Sequence, residues 1–532
     1  MTRLNAWMLT VVFTVGCGGS AGDPLGDERP SGDGQPGDVT HTTVSIPFGL
    51  ESSCEHDGAE RVLTARNRSV VPERMYTAGC TGADGSRRLF VSVPVTTGHD
   101  RTHPQLAEGH HSQVIFEAEL DASTGAFALT GNAIHQPECL DAHGIAVSSD
   151  CSTVATLCRR PHFTSETQPF TRDLVAEYGN DDIDQPGPIG GEPSDSHADY
   201  NDEMWLYEWN SQELSETPDK YVVHKGIGPL TRARGLGNYY LLFGEDDDSY
   251  AVAVRSSTGG GTRHVADAFL VIDRSGSDYA IASGRGYTWA CGRGHTTSNI
   301  PAYNPSTGQY AIWCMTDFNA DKIGGINGMW FRTESMGDSD DNQFIAVNAG
   351  GGHRQGSVQS IRPLPNGNYL GALVAHPEAR DDWGMDAPTK VALARFDGNS
   401  GSLIDGVNWV VSDSNIYLGH AQLGVLGEDR YLLGYAELFD RTKAEEDEGR
   451  NSTRFMIPSA YHVVEIDGNG NALTSSQVMA DGAGWGDQDQ WTNLGAGFLA
   501  WAYIPDAVFG ENGETPGCSS DTLRLSLYRA AE

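Results

Sequence analysis

Lysine is scarce in this chain of 532 residues, because only five of its 35 basic residues are lysine, at positions 220, 225, 322, 390 and 443. Asp and Glu together number 72, so the formal net charge is −37. Binding to nucleic acid and docking on anionic lipid both need clustered positive charge, and this composition excludes them. The apolar content of 38% in turn excludes a disordered chain.

Long apolar runs are missing after the first fifteen residues, so no later segment reaches the roughly 20 apolar residues of a membrane span. The run Ala6–Val15 is followed by Gly16 and Cys17. Residues 1–17 resemble a bacterial lipoprotein signal, although Thr14 stands where that family usually has Leu. The resemblance implies export, a lipid on Cys17 and a place in the cell envelope, at the outer membrane or the cell surface. An ordinary secretory signal is the alternative.

Residues 18–40 are rich in Gly, Pro, Asp and Ser. Such a composition cannot bury a core and predicts a disordered tether. The folded body is therefore predicted to be residues 41–532, held at the membrane only through the lipid.

The body repeats a pattern of an apolar strand, a turn rich in Asp, Asn, Ser and Gly, and a second strand. Equivalent strand ends fall at 121, 210, 273, 333, 397, 467 and 529, in steps of 89, 63, 60, 64, 70 and 62 residues. Another strand pair precedes each hairpin, and no segment has helical periodicity. Four strands in each of seven repeats predict an all-β protein with a single β-propeller of seven four-stranded blades. Tandem β-sandwiches, or six or eight blades, are the alternatives.

The last repeat stops after its third strand, which would leave an open edge in the ring. Residues 42–48, just after the tether, are therefore predicted to pair with residues 523–529 and complete the last blade. The first and longest step contains an insert at about 161–202.

Long loops are predicted on one face of the propeller only. They are 81–111, 161–202, 246–264, 318–326, 377–388, 440–458 and 507–520. Long loops usually serve a function, so this face is the predicted binding face. The acidic runs within the loops fit a solvated surface, and calcium binding is the alternative.

Eight cysteines remain after Cys17, and an even number in an exported chain favours disulfides. Three pairs share a similar separation, which predicts the disulfides Cys54–Cys80, Cys139–Cys158 and Cys291–Cys314. Cys151 and Cys518 are left, either paired with each other or free.

A histidine recurs 20 to 23 residues after four of the hairpin ends, at the predicted start of the innermost strand. The candidates at the channel mouth are His56, His143, His295, His353, His420 and, in the last repeat, Asp489. Converging imidazoles could hold a divalent metal such as zinc or manganese. The arrangement is similar to the His cluster of metal-dependent polysaccharide lyases with seven-bladed propellers, in geometry and not in sequence motif. The alternative is that these residues only hold neighbouring blades together.

Neither a GxSxG nor an HExxH motif occurs, no specific enzyme family is matched, and catalysis stays an open question. The leading hypothesis is a monomeric, lipid-anchored module that recognises an extracellular glycan or protein through the long-loop face. The alternative is a metal-dependent lyase or hydrolase acting on polysaccharide. The candidate substrate-binding residues are Arg232, Arg234, Arg354, Trp383 and Trp485.

Overall fold

The computed structural model describes twenty-one stretches of the chain. They are residues 34–52, 68–69, 75–97, 110–137, 139, 141–161, 202–227, 240–257, 265–274, 280–294, 296–316, 327–334, 336, 344–347, 357–375, 389–410, 416–442, 454–479, 484–485, 491–504 and 520–531. Within them the one helix is a single 3-10 turn, Pro47–Gly49. No helix in this part of the chain has the length and apolarity that crossing a membrane would require.

The strands are numbered in chain order. They are β1 (Asp38–Ser45), β2 (Glu51–Ser52), β3 (Arg68–Ser69), β4 (Tyr76–Thr81), β5 (Arg87–Thr97), β6 (His110–Asp121), β7 (Ala126–Gln136), β8 (Asp141–Val147), β9 (Thr153–Pro161), β10 (Asp202–Asn210), β11 (Asp219–Ile227), β12 (Tyr240–Asp246), β13 (Ser249–Ser257), β14 (Val265–Asp273), β15 (Ala280–Gly294), β16 (Thr296–Asn304), β17 (Gln309–Thr316), β18 (Asn327–Thr333), β19 (Phe344–Val347), β20 (Ser357–Pro363), β21 (Tyr369–Ala375), β22 (Lys390–Phe396), β23 (Leu403–Trp409), β24 (Tyr417–Gly427), β25 (Arg430–Thr442), β26 (Arg454–Asp467), β27 (Gln477–Val478), β28 (Thr492–Asn493), β29 (Phe498–Tyr503) and β30 (Thr522–Arg529).

Across the described residues these strands form seven antiparallel sheets. In chain order from first to fourth strand they are β4–β7, β8–β11, β12–β15, β16–β19, β20–β23, β24–β27 and β28-β29-β30-β1. The first strands contact one another in sequence around a circle, and β28 contacts β4. The first strands therefore line a common axis, and the predicted all-β, single-propeller architecture is confirmed. Two short strands extend the sheets, since β2 pairs with β5 and β3 pairs in parallel with β26.

The sheets differ in how complete they are at the axis. Six of them begin with a strand of six residues or more, whereas the terminal sheet begins with the two-residue strand β28. Counting only sheets with a full innermost strand yields six blades, so the predicted number of seven stays a prediction.

The terminal sheet is completed by the N-terminal strand, as predicted. β1 pairs antiparallel with β30, and Thr42 lies opposite Leu525. The strand begins earlier than predicted, at Asp38, so the predicted tether boundary at residue 40 is too late. It also ends at Ser45, because Pro47 starts the 3-10 turn and has no backbone N–H for the ladder.

Two of the predicted loops contain strands, so their boundaries are wrong. The segment 81–111 includes β5, and the segment 246–264 includes β13. The acidic residues before β13 form a turn of only two residues, 247–248, so a run of charge marks a tight hairpin rather than a long loop.

A tyrosine near the start of the second strand recurs in four sheets: Tyr250, Tyr310, Tyr369 and Tyr431. Each hydroxyl donates a hydrogen bond to the preceding sheet. The acceptors are Glu208 Oε2 at 2.7 Å, Ser249 O at 2.9 Å, Gln309 O at 3.1 Å and Pro363 O at 2.9 Å. Burial raises the pKa of Tyr369 and Tyr431, which keeps both hydroxyls protonated as donors. The tyrosines therefore connect successive sheets around the ring.

One disulfide joins the first two sheets, β4–β7 and β8–β11, and a second ties the connection between them to β9. We call the boundary between these sheets the linked seam. Cys139–Cys158 is confirmed. The predicted Cys54–Cys80 disulfide is wrong, because Cys80 is bonded to Cys151. Cys80 lies near the end of β4 and Cys151 lies in the turn after β8, so two adjacent innermost strands bring the two cysteines to one place, with their Cα atoms 5.5 Å apart.

A partly buried ion pair reinforces the linked seam. Arg88 and Glu117 bond within one sheet, and Arg88 also donates to the backbone carbonyls of Cys151 and Ser211 in the next sheet, both at 3.1 Å. Asn132 donates to Glu117 at 2.8 Å and to Ser211 O at 2.7 Å. Burial opposes ionisation of Glu117, but the hydrogen bonds from Arg88 and Asn132 outweigh it and lower the pKa of this carboxyl.

Candidate functional site

The two faces of the propeller differ in the length of their connections. On one face, turns between first and second strands have two to five residues and those between third and fourth strands have four to ten. On the other face, connections between second and third strands have seven to forty. We call the face with the longer connections the long-loop face and the opposite one the short-turn face. The innermost strands begin at the long-loop face, so a residue at the start of such a strand lies where the axis opens on that side.

Four innermost strands, β8, β16, β20 and β24, contain a β-bulge near this start, and in two of them the bulge begins with a predicted histidine. In β8, the bulge falls between Ala142 and Ile145 and contains His143, followed by Gly144 with φ of 112°. In β24, it falls between Gly419 and Gln422 and begins with His420. Bulges often lie next to active sites because they redirect a side chain. Two predicted histidines therefore occupy the first position of matching bulges in two sheets.

His420 has a left-handed backbone with φ of 50°, which is uncommon for a residue other than glycine. Its side chain is buried, with a relative exposure of 1%, so it does not line an open channel. Its carbonyl accepts a hydrogen bond of 2.6 Å from Trp485 Nε1, and its ring lies edge-on to Tyr461 at 6.3 Å between centroids. Contacts with Trp485 and Tyr461 thus hold the bulge in place.

The aromatic cluster beside His420 fills the space between the last two sheets. Trp485 packs edge-on against Trp491 and Trp501, which stack on each other at 4.8 Å. Trp501 Nε1 donates to Gly484 O at 3.0 Å, and the Tyr461 hydroxyl donates to Trp485 O at 3.0 Å. Trp485 is a predicted substrate-binding residue, but its side chain is fully buried in this core, so its ring presents no open face to a ligand.

A carboxylate–imidazole pair lies in the two middle strands, β25 and β26, of the sheet that contains His420. Glu437 Oε1 is 3.0 Å from His462 Nε2, and the His462 ring stacks flat on Tyr435 at 4.9 Å. The Tyr435 hydroxyl is 3.0 Å from Ser476 Oγ. The contact between Glu437 and His462 becomes an ion pair when the imidazole is protonated.

A buried lysine lies at the start of β22, in the preceding sheet β20–β23. Lys390 begins β22, has a relative exposure of 2%, and donates from Nζ to Ile416 O at 3.1 Å. Thr389 Oγ1 donates to Leu418 O at 2.6 Å, which ties the same strand end to the start of β24. The long-loop sides of these two sheets thus hold one lysine, one glutamate and two histidines.

Glu437, His462 and Lys390 are not among the predicted site residues. Glu437 and His462 each interrupt an otherwise apolar run, as in Tyr461-His-Val-Val, and Lys390 directly precedes one. A polar residue within or beside a buried run is the signal that could have revealed them. The described residues contain no group of three His, Cys, Asp or Glu side chains placed to hold a metal ion.

Most of the predicted site residues lie outside the described part of the chain. These are Cys17, Cys54, His56, Arg232, Arg234, His295, His353, Arg354, Trp383 and Asp489. The backbone of His143 and Cys291 is described, but their side chains are not. Cys314 is disulfide-bonded. The convergence of the histidines on one axis and their binding of a metal stay predictions.

Comparison with known proteins identifies neither a matching family model nor a matching curated protein. The fold is similar to that of the NanB sialidase from Streptococcus pneumoniae, at 10% identity and a TM-score of 0.37 over 76% of this chain and 70% of the sialidase. An α-L-arabinanase from Penicillium chrysogenum is similar at 11% identity and 0.37, over 74% and 94% of the two chains. The β-propeller domain of the Trilobed protease from Pyrococcus furiosus is similar at 9% and 0.31, over 77% and 96%. At these identities and scores the similarities carry no inference about function.

Proposed function

We propose that this protein is an exported propeller, anchored in the cell envelope by a lipid on Cys17, that recognises an extracellular glycan or protein through its long-loop face. We further propose that each of the seven sheets is one blade of a seven-bladed ring. The observation that carries the first proposal is the place where the N-terminal chain enters the fold. Asp38 begins β1 opposite Arg529, at the end of β30, and third strands end on the short-turn face.

The residues before Asp38 follow the same face. Gly34 bridges to Thr474, which lies between β26 and β27, and the backbone N–H of Gly37 donates to the Tyr528 hydroxyl at 2.8 Å. A chain from Cys17 to Gly34 can reach roughly 55–60 Å when extended, or about 20–25 Å as a flexible coil. A lipid on Cys17 would therefore attach from the short-turn side and leave the long-loop face directed away from the membrane.

The anchor is tested with Cys17→Ser. This variant should lose incorporation of a labelled fatty acid and leave the membrane fraction. Wild-type protein that carries no lipid would contradict the anchor.

Recognition is tested by assaying the full chain for binding to an oligosaccharide array and to extracellular proteins. Trp383→Ala and Arg232→Ala, in connections of the long-loop face, should weaken binding about tenfold. Asn399→Ala and Glu428→Ala replace exposed residues of the short-turn face and serve as matched controls that should leave binding unchanged. Equal losses from both sets would contradict the assignment of the face.

A metal-dependent lyase or hydrolase acting on polysaccharide is the second candidate. Matching bulges that begin with His143 and His420 favour it, because they place two histidines at equivalent backbone positions of two innermost strands. Elemental analysis of the purified chain should then find one zinc or manganese per molecule, and His143→Ala and His295→Ala should each lower the metal content. Metal-free protein that retains full ligand binding would rule this candidate out.

A further inference from the structure

An aromatic ring stands exposed at the long-loop end of the boundary between the terminal sheet and the first sheet. Phe48 follows β1 within the 3-10 turn and has a relative exposure of 58%. Its ring lies 6.2 Å from the ring of His135 at an interplanar angle of 38°. His135 is near the end of β7, so both rings lie at the outer rim of the long-loop face.

The backbone at this aromatic is strained. Phe48 has φ of 68° and Gly49 has φ of 65°, so two successive residues are left-handed. A bulky residue rarely adopts this conformation because its Cβ approaches the backbone, and such strain concentrates at ligand-contact sites. A Cβ on Gly49 would meet nothing within 4 Å, so the space beside the turn is open. Packing thus provides no reason for a phenylalanine here.

Polar groups flank the exposed ring. His135 Nε2 is 2.8 Å from Ser112 Oγ, and this contact orients the half-buried imidazole beside Phe48. An exposed aromatic face next to an oriented imidazole suits a pyranose, whose C–H face packs on the ring while its hydroxyls form hydrogen bonds. We infer that Phe48 and His135 form a subsite for a neutral pyranose residue of an extracellular glycan, an inference that rests on the proposed recognition function.

The negative net charge of the protein favours a neutral sugar over an acidic one. The formal net charge of −37 creates a field that opposes the approach of uronate or sulfate groups. A neutral sugar is unaffected by this field, and its contact with the aromatic ring depends little on salt.

The test compares Phe48→Gly with the full-length wild type for binding of cellohexaose, chitohexaose and a β-1,4-linked galactose hexamer by calorimetry, with a galacturonate hexamer as the acidic probe. The wild type should bind a neutral oligosaccharide more tightly than the acidic one. Phe48→Gly should weaken that binding at least about tenfold. Its unfolding midpoint should stay the same or rise, because glycine relieves the left-handed strain. Phe48→Trp should retain the affinity.

Val478→Ala is the matched control, since it removes another exposed apolar side chain, 51% exposed on β27, in the sheet that precedes the terminal sheet. It should leave the affinity unchanged. Unchanged affinity in Phe48→Gly would overturn the inference while leaving recognition by the long-loop face intact. A wild type that binds no neutral oligosaccharide of the panel would also overturn it, even where the protein captures an extracellular protein partner.

Discussion

Two neighbouring boundaries of the ring are held by different chemistry. The Cys80–Cys151 disulfide and hydrogen bonds from Arg88, itself ion-paired with Glu117, cross the linked seam between sheets β4–β7 and β8–β11, and the Cys139–Cys158 disulfide ties the connection between these sheets to β9. The next boundary, between the terminal sheet and β4–β7, is called the closing seam. Among the described residues no disulfide crosses it. An apolar core fills the closing seam, and hydrogen bonds join its sides, as from Thr40 to Gly125 O at 2.9 Å and between the Thr77 and Thr492 hydroxyls at 2.8 Å.

The difference indicates how a ring made from one chain is secured. The linked seam joins sheets that are consecutive in sequence, whereas the closing seam joins the two ends of the chain and completes the ring. Bringing the ends together costs the most loop entropy. A covalent link would therefore add most stability at the closing seam.

The largest expected effect on stability comes from a predicted disulfide across the closing seam, which would then be covalently linked like the linked seam. Ser52 N–H donates to Ser520 O at 2.8 Å, and Ser520 N–H donates to Ser52 Oγ at 3.1 Å. Cys54 follows Ser52 by two residues and Cys518 precedes Ser520 by two. Both cysteines lie outside the described residues, and we predict that they pair. Peptide mapping under non-reducing conditions should find this bond. Replacing both cysteines with Ala should lower the free energy of unfolding by up to about 5 kcal/mol. Free thiols at both positions would disprove the pairing.

The second effect breaks the linked seam. Replacing Cys80 and Cys151 with Ala should lower the free energy of unfolding by about 4 kcal/mol, because the bond closes a loop of 71 residues. The Cys139–Cys158 bond spans only 19 residues, and its removal should cost about 3 kcal/mol. Urea denaturation of the two double variants measures both values. A greater cost for the shorter loop would contradict this entropic explanation.

The third effect concerns the ion pair of the linked seam. Glu117→Gln leaves Arg88 without its carboxylate and should cost about 2 kcal/mol near neutral pH. The lowered pKa of Glu117 means that the wild-type contribution is complete above the unfolded pKa of about 4.3 and is lost as the pH falls through the folded value. The difference in unfolding free energy between wild type and Glu117→Gln should therefore shrink below about pH 4.3. A constant difference down to pH 2 would argue against ionisation as its cause.

The smallest expected effect on stability comes from His41 at the closing seam, at a higher pH than the effect of Glu117. His41 in β1 is half-buried, and its Nδ1 lies 2.9 Å from Ser526 Oγ. Burial, and then the nearby Arg524, lower its pKa. The stability that neutral His41 contributes is present above about pH 6.5 and is lost as the pH falls through the lowered folded value. Hydrogen exchange of β1 should quicken over this range in wild type but not in His41→Gln. Equal acceleration in both proteins would assign the change to another group.

The repeat pattern anticipated much of the fold. The predicted ends at Asp121, Asn210, Asp273 and Thr333 are the last residues of β6, β10, β14 and β18. These ends are readable because Asp, Asn, Ser and Gly satisfy the backbone of each turn locally, as where Asp121 Oδ1 accepts from Ser123 N–H at 2.9 Å. The recurrence of Tyr250, Tyr310, Tyr369 and Tyr431 at steps of 60, 59 and 62 residues is equally readable and was missed.

The candidate site was less predictable. The position of His420 at the start of an innermost strand follows from the repeat, but its burial beneath Trp485 does not, because the aromatic cluster is assembled from two sheets. Glu437 and His462 are 25 residues apart in sequence and meet only through the pairing of β25 with β26.

The sequence by itself determined the strand periodicity, the turns and the use of an N-terminal strand to complete the terminal sheet, because alternation of apolar residues and turn chemistry act over a few neighbours. The tertiary structure decided which cysteines meet, as Cys80 with Cys151, and which aromatic residues are exposed, as Phe48, or buried, as Trp485. Those outcomes depend on the packing of one sheet against the next, and no local spacing in the chain encodes the distance between side chains across a seam.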